Sequence, residues 1–192
     1  MKVVRRTGVA VALAVAACGR GDGGEASAAT GRVWRPAMRL VEHGGRPFDL
    51  AEQRGRVVVV FFGYATCPDI CPTTMADFAS VKRRLGSGAD RVRFVFVTVD
   101  PARDTPQAAQ AYAHKFDSTF IGLSGDSSVL AAAQQQFLAT SWIDHDSTGA
   151  ALVAHTGSVF VVGKDGQVRV QLPYNETPSE ALYAAIVEAL AR

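Results

Sequence analysis

Residues 57–72 read VVVVFFGYATCPDICP. Six consecutive apolar residues, Val57 to Phe62, four of them β-branched, suit a strand buried on both faces in the middle of a mostly parallel sheet. The run stops at Gly63, and Cys67 and Cys71 follow with Pro68 and Pro72 directly behind them. From Thr73 onward Met75, Phe78, Val81 and Leu85 recur at helical spacing. Proline fits the first position of a helix, where its missing N–H would be unpaired in any case. The cysteines therefore stand where a central strand hands over to a helix N-terminus. There the helix dipole and free N–H groups favour the thiolate form of each.

The spacing narrows the chemistry. One helical turn puts two Cβ atoms about 5–6 Å apart, whereas a relaxed disulfide wants about 3.5–4.5 Å. A disulfide here requires local distortion. Two thiolates bound at about 2.3 Å to a trigonal ion stand roughly 4 Å apart, which rotamer choice alone can reach. Two buried structural cysteines are the bland alternative, since free Cys is among the most buried residue types. Their placement in one short, proline-bracketed turn after a strand argues against it.

A chain of 192 residues with 48% apolar and 20% charged residues allows one ordinary domain plus a tail. Lys2, Arg5 and Arg6 precede an apolar stretch, Val9 to Ala17, that ends at Cys18. That stretch is too short to span a bilayer and matches the apolar region of a signal peptide. Val15-Ala16-Ala17-Cys18 resembles the lipobox of bacterial lipoproteins, where cleavage before the cysteine is coupled to its lipidation. Residues 1–17 thus read as a lipoprotein-type signal peptide. Residues 18–32 read as lipidated Cys18 followed by a flexible tether rich in Gly, Ala and Ser. Without Lys2, Arg5 and Arg6 the net charge falls from +2 to −1, which leaves no basic surplus for nucleic acid. The compartment implied is the bacterial cell envelope, on the extracytoplasmic side of the membrane (the periplasm in a Gram-negative cell), where disulfides and metals are permitted. With Cys18 lipidated, Cys67 and Cys71 are the remaining cysteines of the sequence, enough for one dithiol.

The folded domain is assigned to residues 33–192. Residues 33–50 suggest a hairpin with His43-Gly44-Gly45-Arg46 at its turn. A second buried strand covers 92–99, and Thr105 or Asp104 caps a helix opening at Pro106. A short strand over 120–123 precedes a helix over 126–138 capped by Asp126 or Ser127. Residues 139–154, polar at their centre, carry no readable period and are left as a loop holding Trp142 and His145. Residues 159–162 and 167–172 form a hairpin around the Asp165-Gly166 turn, and 178–190 close the chain as an amphipathic helix. His43, His114 and His145 read as exposed, and Asp69 as a turn residue. Strands alternating with helices imply an α/β fold. A dithiol at the end of the first core strand, opening a helix, is the thioredoxin-like arrangement: a central mixed sheet flanked by helices, with an N-terminal β-hairpin.

Three blocks carry a family resemblance: Phe62-Gly63-Tyr64 with Cys67-Pro68-Asp69-Ile70-Cys71-Pro72; Val99-Asp100-Pro101 with Arg103-Asp104-Thr105-Pro106; and His155-Thr156 just before the strand over 159–162. In this order the chain resembles the Sco/SenC family. The resemblance implies a membrane-tethered, extracytoplasmic protein that binds one copper ion, Cu(I) or Cu(II), through Cys67, Cys71 and His155. Asp100 matches a family acid near the site. It also implies delivery of copper to the CuA centre in subunit II of cytochrome c oxidase, alongside other copper chaperones or thiol-disulfide proteins of the envelope. This is a metallochaperone's role; the alternative is a thiol-disulfide oxidoreductase that reduces partner cysteines with the same dithiol. Peroxidase chemistry is a third reading, on fold analogy. Ala65 and Thr66 stand where many members have Thr-His, and Ala154 where many have an acid before the histidine. Soft thiolates select Cu(I) and imidazole suits copper in either state; a structural zinc would want a fourth ligand. In thioredoxin-like folds the loop before the strand over 159–162 faces the dithiol and usually carries a cis-proline, and here His155 occupies that loop instead.

Overall fold

The computed structural model describes residues 34–145, 147–148, 151–173 and 179–192. Residues 1–33, with the stretches read as signal peptide and tether and with Cys18, lie outside the described residues, as does Pro178. In chain order the elements are β1 (Arg39–Glu42), β2 (Pro47–Asp49), β3 (Val57–Gly63), α1 (Ile70–Leu85), β4 (Val92–Thr98), α2 (Pro106–His114) and β5 (Ile121–Ser124). They continue with α3 (Ser127–Gln136), β6 (Ser141–His145), β7 (Ala151–His155), β8 (Ser158–Val162), β9 (Val168–Pro173) and α4 (Ser179–Ala191).

The apolar run becomes the centre of the molecule. Every residue of β3 is buried, and the seven-stranded sheet runs β2-β1-β5-β4-β3-β8-β9. β3 pairs parallel with β4 and antiparallel with β8. Because strand side chains alternate between faces, Val57, Val59 and Phe61 pack with Met75 and Phe78 of α1, Tyr112 of α2 and Ile186 of α4. Val58, Val60 and Phe62 pack on the other face with Leu130 of α3, with Phe137 just past its end and with Leu40 and Phe48 of the first hairpin. Full burial of such side chains is worth about 1.5–3 kcal/mol each relative to leaving them exposed. This helix-covered mixed sheet is the thioredoxin-like fold expected from the sequence. Gly122 in β5 permits α2 to sit against it, since a Cβ there would meet the Ala109 carbonyl oxygen at 2.2 Å.

Local signals held where a side chain had a defined bonding task. Thr105 caps α2, its Oγ1 accepting from Ala108 N at 3.2 Å, with Pro106 in the first turn. Asp126 occupies the cap position of α3 but makes no side-chain cap bond.

Two differences bear on function. α1 begins at Ile70, three residues earlier than the helical spacing indicates, so Cys71 lies inside its first turn while Cys67 precedes it. The segment read as a loop is a second sheet: β6 and β7 pair antiparallel, with Ser141 opposite His155 and Ile143 opposite Val153. Its period escaped because the hairpin stands off the core; Trp142, Ile143 and Leu152 are exposed, so apolar side chains do not mark one buried face. His155 therefore ends a strand and does not sit in a loop.

Candidate metal centre

β3 delivers the site. After Gly63, whose carbonyl accepts from Val99 N at 2.7 Å, the chain turns through Tyr64 and Cys67 into α1. Cys71 is fully buried under this turn, while Cys67 is half-buried. Gly63 lets Cys71 reach its place: a Cβ there would stand 2.7 Å from Cys71 Sγ. The third residue arrives through sheet register. β3 and β8 pair Val58 with Val162 and Phe61 with Val159, so the chain running backward from β8 meets the chain running forward from β3. His155, at the end of β7, is thereby brought beside the cysteine turn. Thr156 N donates to Thr140 O at 2.8 Å and Thr140 N to Thr156 Oγ1 at 2.9 Å, which fastens this corner.

The result is a three-donor cluster. Cys67, Cys71 and His155 each offer one atom, all within 4.8 Å of one another, and His155 Nε2 lies 3.7 Å from Cys71 Sγ. His155 Nδ1 stands 3.2 Å from the Thr156 carbonyl. An acceptor there assigns the proton to Nδ1 and leaves the Nε2 lone pair facing the sulfurs, the tautomer a metal requires. The ring is held edge-on by Phe61 and Tyr64, at centroid distances of 5.9 and 5.8 Å. Burial pulls the imidazole's pKa down, against the bond to Thr156, so the ring stays neutral to lower pH. Neutral imidazole beside two sulfurs is a donor set for a soft or borderline ion.

The two thiols are not equivalent, contrary to the expectation that the helix end favours both as thiolates. Burial pushes Cys71 well above the ordinary thiol range; the Tyr64 backbone N–H opposes this, and Cys67 and Asp104 add to it. For Cys67 burial also acts upward. It is outweighed by hydrogen bonds from the backbone N–H groups of Asp69 and Cys71, from the Cys71 thiol and from the Tyr64 hydroxyl, so Cys67 lies below the ordinary value. Both cysteines are free thiols.

Asp100 is buried but stands further back. It pairs with Arg103, whose guanidinium lies 5.8 Å from the centroid of the Tyr64 ring. Tyr64 in turn contacts both His155 and Cys67. Nothing in the sequence beyond its place after Phe62-Gly63 marks Tyr64 for this part, because its contacts with His155 and Cys67 exist only in the folded chain. His43, His114 and His145 are exposed, and Asp69 is an exposed residue of the cysteine turn. Beside the site opens a groove of about 450 Å³, walled by Tyr64, Pro68 and Arg103 on one side and by Trp142, Leu152 and Ala154 on the other.

The fold and site define a thioredoxin-like protein whose dithiol faces a histidine. A family model described as SCO1/SenC matches residues 27–191. The chain belongs to the SCO1/SenC family. Among its relatives, the mitochondrial SCO2 homolog of Mus musculus is 33% identical over 130 residues, covering 66% of this chain and 51% of that protein. The chain spans about half to two thirds of the length of the curated relatives it matches. Among solved structures, copper-bound ScoI of Bradyrhizobium japonicum is 29% identical with a TM-score of 0.70, over 81% of this chain and 96% of that one. Apo Sco1 of Thermus thermophilus is 32% identical with a TM-score of 0.73, over 83% and 91%.

Proposed function

We propose that the protein is a membrane-tethered, extracytoplasmic copper carrier. In this reading Cys67, Cys71 and His155 take one copper ion as cargo, and the recipient is the CuA centre in subunit II of cytochrome c oxidase during its assembly. The observation that carries the reading is the convergence of three soft or borderline donors from two distant segments. A merely structural dithiol has no need of the imidazole. Three protein donors leave a coordination position for an incoming ligand; Cys67 and His155 are partly exposed while Cys71 is buried, and Cys67 is the accessible thiol through which exchange begins. Lipidated Cys18 and the following tether hold the domain at the membrane on its extracytoplasmic side. The purified, reduced protein is expected to bind one copper ion with sulfur and nitrogen donors in X-ray absorption; sulfur-only coordination, or no binding, refutes the reading.

One observation favours a second reading, a thiol-disulfide reductase. The pairing of a half-exposed, low-pKa Cys67 with a buried, high-pKa Cys71 is what an attacking and a resolving thiol need. His155 separates the two, since reduction of a partner does not require it. Oxidase assembly in cells carrying His155→Ala is lost for a carrier and retained for a reductase.

A further inference from the structure

Of the three donors, Cys71 is fixed by α1 and His155 by the β6–β7 pairing. Cys67 lies in the connection between Gly63 and Ile70, outside any helix or strand. Cys67 N donates to Tyr64 O at 3.2 Å, a bond internal to that connection. Asp69 O, at its far end, accepts from Thr73 Oγ1 of α1 at 3.1 Å; ahead of Cys67, the bond that reaches across the fold is Ala65 N to Asp104 Oδ2, at 2.8 Å across 39 residues of sequence.

Asp104 is built for that task. It is 2% exposed. The same Oδ2 accepts from Thr98 Oγ1 at 2.8 Å. Its backbone N donates to Asp100 O at 2.9 Å, and its carbonyl accepts from Ser124 Oγ, on β5, at 2.7 Å. The ends of β4 and β5 therefore aim one carboxylate at the cysteine turn. Helix capping does not explain it, because Thr105 caps α2. Ion pairing does not either, because the neighbouring Arg103 is engaged by Asp100. A buried carboxylate costs stability unless its bonds are good, so its retention here needs a local reason.

We propose that Asp104 is the positioning residue of the metal centre: by holding the Ala65 N–H it sets where Cys67 Sγ stands relative to Cys71 and His155. The inference rests on the copper reading for its consequence and on the dithiol alone for its geometry. Two readouts keep these apart. Phenylarsine oxide, whose single arsenic bridges two sulfurs, reports the thiol–thiol geometry without copper. Competition with a chromophoric chelator reports Cu(I) affinity.

In the purified, reduced full chain, Asp104→Ala should weaken both by about tenfold or more, the loss of one hydrogen bond to a charged acceptor. Asp104→Asn keeps a carbonyl oxygen able to accept from Ala65 N and Thr98 Oγ1, and should stay within about threefold of wild type. A folded Asp104→Ala protein with wild-type arsenical and copper affinities overturns the proposal. So does an Asp104→Asn protein as impaired as Asp104→Ala, which would point to charge and not position. If Asp104→Ala fails to fold, Thr98→Val decides. It removes the second bond that aims the carboxylate, and unchanged arsenical bridging in that folded variant overturns the proposal. If copper does not bind the wild type while arsenical bridging follows Asp104, the copper reading falls and the positioning role stands.

Discussion

The closest packing at the site is at Gly63, and Gly63→Ala tests whether that packing sets the metal centre. The added Cβ would stand 2.7 Å from Cys71 Sγ, 2.9 Å from Phe61 Cε1 and 3.1 Å from Phe96 Cε2. All three neighbours are fully buried, so none can swing into solvent. The backbone cannot retreat either, because the Gly63 carbonyl is bonded to Val99 N at 2.7 Å and Gly63 pairs with Thr98 in the sheet. Overpacking of this kind costs about 1–3 kcal/mol, reduced by up to about 1 kcal/mol because alanine loses less chain entropy in a strand than glycine. For a chain of this size each kcal/mol moves Tm by about 2–4 °C. Calorimetry of the reduced apo-protein should therefore show a fall of several degrees, and chelator competition a weaker Cu(I) site, because the atom that must yield is one of the sulfurs proposed to bind copper. A double-mutant cycle isolates the cause. In a Cys71→Ala background the sulfur is gone and Gly63→Ala should cost less, with a coupling of about 0.5–3 kcal/mol. Additive costs, or unchanged Tm and copper affinity in Gly63→Ala, would refute the argument that Gly63 is there to admit Cys71.

Three further outcomes are expected. His155→Ala should weaken copper binding more than about a hundredfold, beyond the usual loss of an outer partner, with the circular-dichroism spectrum and the formation of a Cys67–Cys71 disulfide unchanged; a loss carried instead by the exposed His145→Ala would assign the wrong histidine. The reduced apo-protein should lose stability in chemical denaturation as pH rises past the ordinary thiol value of 9.0, because raised Cys71 keeps its proton in the folded state while the unfolded thiol releases it. The lowered Cys67 pulls the other way, so Cys71→Ser should flatten the decline, and a decline identical in that variant would locate its cause elsewhere. Labelled fatty acid should enter the wild-type protein in cells and be lost in Cys18→Ser; incorporation that survives the substitution refutes the lipid anchor.

What the sequence disclosed follows from how local each cause is. The run from Val57 to Phe62 announces a two-sided core strand because burial on both faces removes the alternation that a half-exposed strand must keep. Thr105-Pro106 announces a helix start because capping is a bond between neighbours. The hairpin over Ser141–His145 and Ala151–His155 stayed hidden for the opposite reason: it stands off the core, with Trp142, Ile143 and Leu152 turned to solvent, so its apolar residues do not mark an inner face. The difference between the two thiols was equally hidden, since both follow the same strand and precede prolines. It comes from three-dimensional burial of Cys71 and from hydrogen bonds that converge on Cys67.

His155 lies between these cases. Its residue type and its place before a core strand are legible, but its meeting with the cysteines depends on register. The antiparallel pairs of β3 and β8 run from Val58 with Val162 to Phe61 with Val159. In each pair the two residue numbers add to the same total, and continuing that register sets Tyr64 against Thr156. A slip of one residue would turn every side chain of β8 to the other face of the sheet and carry His155 along the strand direction by about 3.4 Å, a shift nearly as long as the 3.7 Å that now separates Nε2 from Cys71 Sγ. With Ser158 to Val162 all buried, the register is held by shape: Phe160 packs edge-on against Phe62 and Phe137, a place that its valine neighbours would leave unfilled, so the residues that position the proposed third donor are the apolar ones of the core.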